Sequence, residues 1–154
     1  MLRIGKLTDY ATVLMSCLAS RATTLMAASE LAALARLELP TARKLLKQLA
    51  TAGLIQSQRG SRGGYQLCRP ATDISVLDIV VALEGPLGMT ECSAHAGACG
   101  REPHCQVQHN WQRVSAVIAA ALQEIKLADM LPAPPPPRRQ SKPRPFPVAV
   151  VLRT

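Results

Sequence analysis

The residues best suited to chemistry in this sequence are cysteines and histidines in one short segment. Three of the 5 cysteines lie between positions 92 and 105, and all 3 histidines fall in or beside that stretch: Cys92, His95, Cys99, His104, Cys105 and His109. Thiolates and imidazoles are common metal ligands, and several on one glycine-containing loop can converge on a single centre. The segment therefore predicts a metal site, with the three cysteines as its first candidate ligands.

The spacing of these cysteines does not by itself identify the metal. Six residues separate Cys92 from Cys99 and five separate Cys99 from Cys105, unlike the short Cys-x-x-Cys pairs of common zinc sites. The spacing mildly favours an iron–sulphur cluster, while zinc and direct oxidation of the thiols remain alternatives. The other two cysteines, Cys17 and Cys68, are expected to be structural, because free cysteine is commonly a small core residue.

Apolar periodicity predicts three helices before this loop. Leucine, valine and alanine recur at helical spacing over 6–20, with Thr8 as N-cap, and again over 27–37. A third helix begins near Pro40 and ends at Gly53, with Ala42, Leu45, Leu46 and Leu49 facing inward.

After the third helix the pattern changes to that of strands. The alternating segments LIQSQ and YQLC flank the glycine-rich RGSRGG and predict a β-hairpin. A fourth helix over 75–84 begins at Ser75 and ends at Gly85. The fold class is therefore mainly α with a small β-hairpin, a winged helix-turn-helix followed by a long C-terminal helix.

The third helix and the hairpin together have the features of a surface for double-stranded DNA. Such a helix enters the major groove, and glycines let the hairpin tip approach the duplex closely. The polar face of the helix is cationic, and arginines flank the hairpin glycines. The predicted DNA contacts are Thr41, Arg43, Lys44, Lys47, Gln48, Arg59 and Arg62.

The last helix is predicted to run to about residue 131 and to form a homodimer. Apolar residues recur every seven positions, which is typical of a helix-packing seam. So small a domain offers such a seam little to pack against, so a second copy is the expected partner. The predicted dimer residues are Trp111, Val114, Ile118, Ala121 and Ile125.

Charge and composition divide the chain further. The formal net charge is +8, and residues 132–154 hold five basic residues, no acid and many prolines, which predicts a disordered basic tail. We therefore predict a DNA-binding domain at 1–85, a Cys/His loop at 86–109, a dimerisation helix at 110–131 and the tail at 132–154.

Several functional classes are disfavoured by what the sequence lacks. It has no apolar run of about 18 residues and no secretory signal, so we expect a cytoplasmic protein with reduced thiols and no membrane partner. It also has no phosphate-binding glycine loop before a helix, no paired carboxylates and no positioned nucleophile. We therefore expect neither an enzyme nor a small-molecule substrate.

At this point the sequence resembles a known family, the winged-helix regulators typified by IscR and NsrR. The matching segments are KLTDYA at 6–11, SELAAL at 29–34, the RKLLKQL pattern, and GLIQSQRGSRGGYQL at 53–67. The cysteine triplet and the helix containing Trp111 complete the match. The first twenty residues are most similar to the regulators of SUF-type iron–sulphur assembly genes.

The resemblance implies a homodimeric transcription factor, such as a repressor, in which an iron–sulphur cluster controls operator binding. It favours a 2Fe–2S over a 4Fe–4S cluster and carries Cys92, Cys99 and Cys105 over as ligands. A nitric-oxide-sensing or redox-sensing repressor of the same fold, or a zinc- or thiol-based regulator, is the alternative.

The family suggests candidates for a fourth ligand. IscR-like members place a histidine at the position of Gln108, one residue before His109, whereas NsrR-like members use an aspartate matching Asp9. We rank His109 first, Asp9 second and His104 third. Arg43 replaces a glutamate of IscR-like members, and because arginine favours guanine edges, the operator sequence is expected to differ.

Overall fold

The computed structural model describes residues 4–21, 24–60 and 63–131; Arg62 and the predicted tail at 132–154 lie outside them. The described residues form six α-helices and one two-stranded sheet. Their bounds are α1 Lys6–Ala19, α2 Ala28–Leu34, α3 Leu39–Thr51, β1 Ile55–Gln58, β2 Gly64–Leu67, α4 Val76–Glu84, α5 Glu91–Ala94 and α6 Gln108–Glu124. Among these helices, none is long and apolar enough to cross a membrane.

The core lies among α1, α2, α3, the hairpin and α4, and it is almost entirely aliphatic. Its largest fully buried side chains are Leu14, Met15, Leu18, Met26, Leu31, Leu45, Leu46, Leu49, Ile55, Ile74, Ile79 and Leu127. Burial of each such side chain contributes about 1.5–3 kcal/mol to folding. This shared core fixes α3 relative to the hairpin, and it confirms the predicted mainly α fold with a winged helix-turn-helix arrangement.

Helix α3 has the predicted inner face. Ala42, Leu45, Leu46 and Leu49 are all fully buried, because positions three and four apart lie on one side of a helix. The helix ends where Gly53 adopts a φ of 72°. Leu54 N then donates to Leu49 O at 3.0 Å, the bond of a Schellman motif.

A third backbone segment pairs with the hairpin at one residue, a contact that the sequence pattern does not reveal. Strands β1 and β2 pair in antiparallel register from Ile55–Leu67 to Gln58–Gly64. Met26 also bridges Tyr65 on the outer side of β2, with its backbone N donating at 3.0 Å. A Cβ at Gly64 would lie 2.7 Å from the Met26 carbonyl oxygen, so this close backbone approach requires glycine.

Helix α4 begins as predicted at Ser75. The Ser75 hydroxyl accepts from Asp78 N at 3.1 Å, and the Asp78 carboxylate accepts from Ser75 N at 2.9 Å, which forms a capping box. Arg69 also donates to this carboxylate at 2.9 Å. Burial would raise the pKa of Asp78, but the bonds from Ser75 and Arg69 outweigh it and lower the pKa.

Helices α1 and α2 differ from the prediction at their ends. Gly5, rather than Thr8, is the N-cap of α1, and Thr8 is a buried residue inside the helix. Helix α2 ends at Leu34 instead of reaching 37, because Arg36 adopts a left-handed φ of 53°. Leu31 and Leu34 lie three positions apart, yet Leu31 is buried and the side chain of Leu34 is exposed.

The last helix is shorter than predicted. Helix α6 ends at Glu124, and the chain then returns to α4 instead of remaining helical to 131. Val76 N donates to Ile125 O at 2.9 Å and Leu127 N donates to Ile74 O at 2.8 Å. Leu127 is fully buried in the core, so its burial and this backbone pairing end the helix before Ile125.

Candidate nucleic-acid interface and cysteine loop

The outer face of α3 presents cations to solvent. Arg43, Lys44 and Lys47 are exposed, whereas Thr41 and Gln48 are half-buried at the edges of the same face. Among the described residues, none of these three cations forms an ion pair. The helix contains no acidic residue, so the face can attract phosphates without competition from its own carboxylates.

The wing places another cation beyond the end of β1. Arg59 is exposed directly after Gln58, and Gly60 follows with a φ of 120°. Arg62, the second predicted wing contact, lies outside the described residues. The wing and α3 pack on one core, so Arg59 is attached to the same rigid body as the cationic helix face.

The first cysteine of the loop has a fixed position. Cys92 lies on α5 and is buried. The hydroxyl of Thr90, the N-cap residue of α5, lies 3.2 Å from Cys92 Sγ. Thr90 and Ser93 form a reciprocal capping box, in which Thr90 N donates to Ser93 Oγ at 2.9 Å. These contacts fix the conformation of the first turn of α5 around Cys92.

Cys99 and Cys105 lie on a more open segment and are half-buried. The Glu102 carboxylate accepts from Gly97 N at 2.9 Å and from Cys99 N at 3.4 Å. Within the described residues, no three cysteine, histidine, aspartate or glutamate side chains lie close enough together to hold a metal ion. The donor types suit an iron–sulphur cluster or zinc, but this conformation does not bring the three thiols together.

The candidates for a fourth ligand are separate from one another. His104 ends a 3₁₀ turn, Glu102–His104, whereas His109 lies in the first turn of α6. Both are exposed, as are His95 and Asp9 of α1. Helix α6 begins at Gln108, so Cys105 lies before the helix that carries His109, and the two side chains do not lie one turn apart on a single helix.

The two remaining cysteines differ in their surroundings. Cys17 is half-buried against the core, and burial raises the pKa of its thiol while Arg21 acts in the opposite direction. Cys68 is exposed at the end of β2. The expectation of a structural core cysteine therefore holds in part for Cys17 and is wrong for Cys68.

Glu84, the last residue of α4, connects the end of that helix to the start of α1, a contact that the sequence analysis did not predict. Its Oε1 accepts from Gly5 N at 2.8 Å and from Thr8 Oγ1 at 2.6 Å. A Cβ at Gly5 would lie 2.7 Å from the same oxygen. No short-range pattern could reveal this contact, because 79 positions separate Gly5 from Glu84.

Ser115 makes a second unforeseen connection, between the loop and α6. It is one of the few buried polar residues, and its hydroxyl accepts from Met89 N at 3.0 Å. Met89 lies just before α5. The entry to the cysteine loop is therefore fixed to the middle of α6, in addition to the loop's covalent connection to the start of that helix.

Beside Ser115, the exposed surface of α6 is apolar. Among the predicted dimer residues, Trp111 and Val114 are exposed and Ile118 is half-buried. Val117, which the seven-residue pattern omits, is 70% exposed. Ile125 lies beyond the end of the helix. These neighbouring exposed side chains form an apolar surface that other described residues do not cover.

Comparison with known families identifies the class of protein. Residues 4–133 match the Rrf2 family model, described as an iron-dependent transcriptional regulator. The chain belongs to the Rrf2 family. This membership makes it a DNA-binding transcriptional regulator of the winged-helix type, in agreement with the cationic surface of α3 and the wing.

Two relatives illustrate the extent of the similarity. The chain is 36% identical over 88 residues to the protein rrf2 of Nitratidesulfovibrio vulgaris, covering 57% of the chain. It spans only 59% of the length of that relative. It is 30% identical over 130 residues to an HTH-type transcriptional regulator of Mycobacterium tuberculosis, covering 84% of this chain and 81% of that protein.

Solved structures of Rrf2 regulators have the same fold. CymR, the global cysteine regulator of B. subtilis, is similar with a TM-score of 0.66 and 26% identity, covering 84% of this chain and 96% of that one. IscR of T. potens is similar with a TM-score of 0.63 and 30% identity, covering 84% and 85%. Both similarities extend well beyond the winged helix-turn-helix.

Proposed function

We propose that this Rrf2-family regulator binds operator DNA through α3 and the wing, and that ligation of an iron–sulphur cluster by Cys92, Cys99 and Cys105 sets the affinity. The observation that carries the proposal is the extent of the family match. It spans 4–133 and therefore includes both the cationic surface and the cysteine loop. The similarity to IscR, together with the opening twenty residues, favours SUF-type iron–sulphur assembly genes as targets.

DNA recognition is assigned to two connected surfaces. Arg43, Lys44 and Lys47, with Thr41 and Gln48 beside them, enter the major groove and contact base edges and phosphates. Arg59 and Arg62 of the wing contact the backbone or the minor groove. Arg43 is the residue on which we expect base preference to depend most, because its guanidinium can pair with two acceptors of guanine.

The cysteine loop is built so that ligation would move part of it. Cys92 is held by Thr90 and by the connection from Met89 to Ser115. The segment with Cys99 and Cys105 is held by the hydrogen bonds of Glu102. Bringing all three thiols together therefore requires the 95–107 segment to rearrange around Cys92. When bound, an iron–sulphur cluster supplies a centre that oxidants, nitric oxide or iron scarcity can remove.

The rearranged segment leads directly into α6, which explains how ligation can affect DNA. We propose that two copies dimerise through the exposed apolar surface of α6, with Trp111, Val114, Ile118, Ala121 and Ile125 in the interface. Movement at the start of α6 then changes the placement of one wing relative to the other. His109 remains our first candidate for the fourth ligand, followed by Asp9 of the partner subunit and His104.

The proposal is tested on five single Cys→Ser proteins purified and reconstituted without oxygen. Cys92→Ser, Cys99→Ser and Cys105→Ser are expected to lose most bound iron and the visible absorption, whereas Cys17→Ser and Cys68→Ser retain both. DNA selected from a random pool by the reconstituted wild type supplies the operator. Wild-type iron content in Cys99→Ser would contradict the ligand assignment.

A regulator that senses through zinc or through its own thiols is the second candidate. It is favoured by the structure's separation of the three thiols, because direct oxidation does not require all three to meet at one metal ion. The same five proteins distinguish the candidates. Zinc would appear by metal analysis in a colourless protein, and thiol sensing would leave affinity sensitive to peroxide in protein free of both metals.

A further inference from the structure

A cleft between α3, α4 and the base of the hairpin lies at the edge of the proposed DNA surface and shares Lys44, Lys47 and Gln48 with it. Its volume is about 830 Å³, within the range of about 300–1,000 Å³ that is typical of small-molecule sites. Leu54, Leu77, Val81 and Ala82 contribute its apolar lining. Val81 is 41% exposed, although it lies on a helix whose other valines, Val76 and Val80, are buried.

The polar side of the same cleft is cationic. Lys44 and Lys47 of α3 and Arg69 after β2 all line it, and Asp78 is the acidic residue among its lining residues. That carboxylate already accepts from Arg69 at 2.9 Å and from Ser75 N. Three cations against one paired carboxylate leave an excess of positive charge, which complements an anion.

Gln48 supplies an independent indication of an occupant. It lines the cleft, and its Oε1 is the buried side-chain atom without a hydrogen-bond partner among the described residues. Buried acceptors are almost always paired. A ligand with an N–H or O–H group would satisfy this oxygen while its apolar part covers the neighbouring leucine and valine side chains.

We infer that the cleft binds a small amphipathic organic anion, with an aromatic or aliphatic body, one acidic group and one hydrogen-bond donor. The acidic group pairs with Lys44, Lys47 and Arg69, and the apolar body covers Leu77 and Val81. Lys44 and Lys47 also belong to the proposed DNA surface. A ligand in the cleft therefore competes with operator DNA for the same cations, separately from any event at the cysteine loop.

The probe that tests this site is 8-anilinonaphthalene-1-sulfonate, which carries two aromatic groups, a sulfonate and one N–H donor. Its neutral parent, N-phenyl-1-naphthylamine, lacks the sulfonate and serves as the matched probe. Fluorescence titration of the full chain should show saturable binding of one molecule of this sulfonate probe per chain. The neutral parent should bind at least about tenfold more weakly if the cations contribute. Equal binding of the two probes would overturn the assignment of an anion site.

Two valine variants locate the bound probe. Val81→Asp places a carboxylate in the cleft and should weaken sulfonate binding by about tenfold or more. Val117→Asp introduces the same charge on the exposed face of α6 and should leave this binding unchanged. Circular dichroism checks that both variants fold. Loss of binding in Val117→Asp with retention in Val81→Asp would place the probe on α6 and overturn the proposal.

Competition with DNA is the final part of the test and rests on the proposed function. A saturating concentration of the sulfonate probe should raise the operator dissociation constant of the wild type. It should not change the operator dissociation constant of Val81→Asp. If the operator dissociation constant did not change when the cleft was saturated with the sulfonate probe, the proposed competition between ligand and DNA would be contradicted. If the chain bound no DNA under any condition, the proposed function would fail, whereas the two titrations would still decide the cleft.

Discussion

Residues 4–85 and residues 86–124 differ in where they place their apolar side chains. In the first region Leu14, Leu45 and Ile79 are completely buried. In the second, the buried residues are Cys92 and Ser115, while Val117 is 70% exposed. The winged-helix region thus has a core of its own, and the loop and α6 pack as an outer layer.

Under the proposed function, this difference lets one chain combine a stable DNA-binding region with a cysteine loop that responds to ligation. Segments with few buried apolar contacts open at a low free-energy cost, so ligation or dimerisation can change their conformation. The proposed DNA-binding surface of α3 and the wing remains fixed by this core. The hydrogen bonds from Ser75 Oγ to Gln123 Oε1 at 3.3 Å and from Val76 N to Ile125 O at 2.9 Å connect α6 and the residue that follows it to the winged-helix region, so a change in the outer layer can reach that region through them.

The largest effect is expected when a charge is placed on the exposed apolar surface of α6, the outer layer in this comparison. Ile118→Asp should raise the dimer dissociation constant by on the order of 100-fold or more, because an unpaired carboxylate would be buried between copies. Sedimentation should then show a monomer with weakened operator binding. The matched control is Gln112→Asp, which places the same charge on the polar side of α6. A dimeric Ile118→Asp protein would show that this surface packs in another way.

A core deletion should affect the first region far more than a similar deletion affects the second. Leu45→Ala removes a fully buried side chain and should lower the free energy of unfolding by about 2–5 kcal/mol. Val107→Ala, at an exposed position before α6, should change it by less than about 0.5 kcal/mol. Chemical denaturation with circular dichroism measures both. Similar losses in the two variants would mean that the regions are equally dependent on packing.

The sequence already predicts most of the first region and little of the second. The helical spacing of Leu45, Leu46 and Leu49 predicts the inner face of α3, and Ser75 predicts the start of α4. Helix α6 ends early because Leu127 joins a core formed by distant residues, which no heptad pattern shows. The same limit applies to Glu84 and Gly5, since side chains so far apart in sequence meet only after folding.

Cations in the two regions should differ in their effect on DNA. Arg59→Ala removes a wing contact with phosphate or the minor groove and should weaken operator binding by about 1–3 kcal/mol at fixed salt. Arg101→Ala removes an exposed cation from the cysteine loop and should have little effect. Fluorescence anisotropy with labelled operator measures both variants. An unchanged dissociation constant for Arg59→Ala would remove the wing arginine from the interface.

The smallest expected effect concerns acid stability at the start of α4. Because its pKa is lowered in the folded state, Asp78 contributes stability above its unfolded pKa of about 3.9. That contribution is lost as the pH falls through the lower pKa of the folded state. The unfolding free energy of Asp78→Asn should therefore depend less on pH below about 4 than that of the wild type. Asp73→Asn is the control, and an identical pH dependence in Asp78→Asn and wild type would contradict the capping account.

The central claim is that ligation of the cysteine loop controls the affinity of the rigid winged-helix region for DNA. The most direct measurement is anaerobic titration of one selected operator with reconstituted protein and with the same protein after removal of its iron, in wild type and in Cys99→Ser. We expect the operator dissociation constant to differ between the two wild-type forms and to be the same for both preparations of Cys99→Ser. Equal dissociation constants for the two wild-type forms, with the cluster demonstrably present in one of them, would contradict the claim.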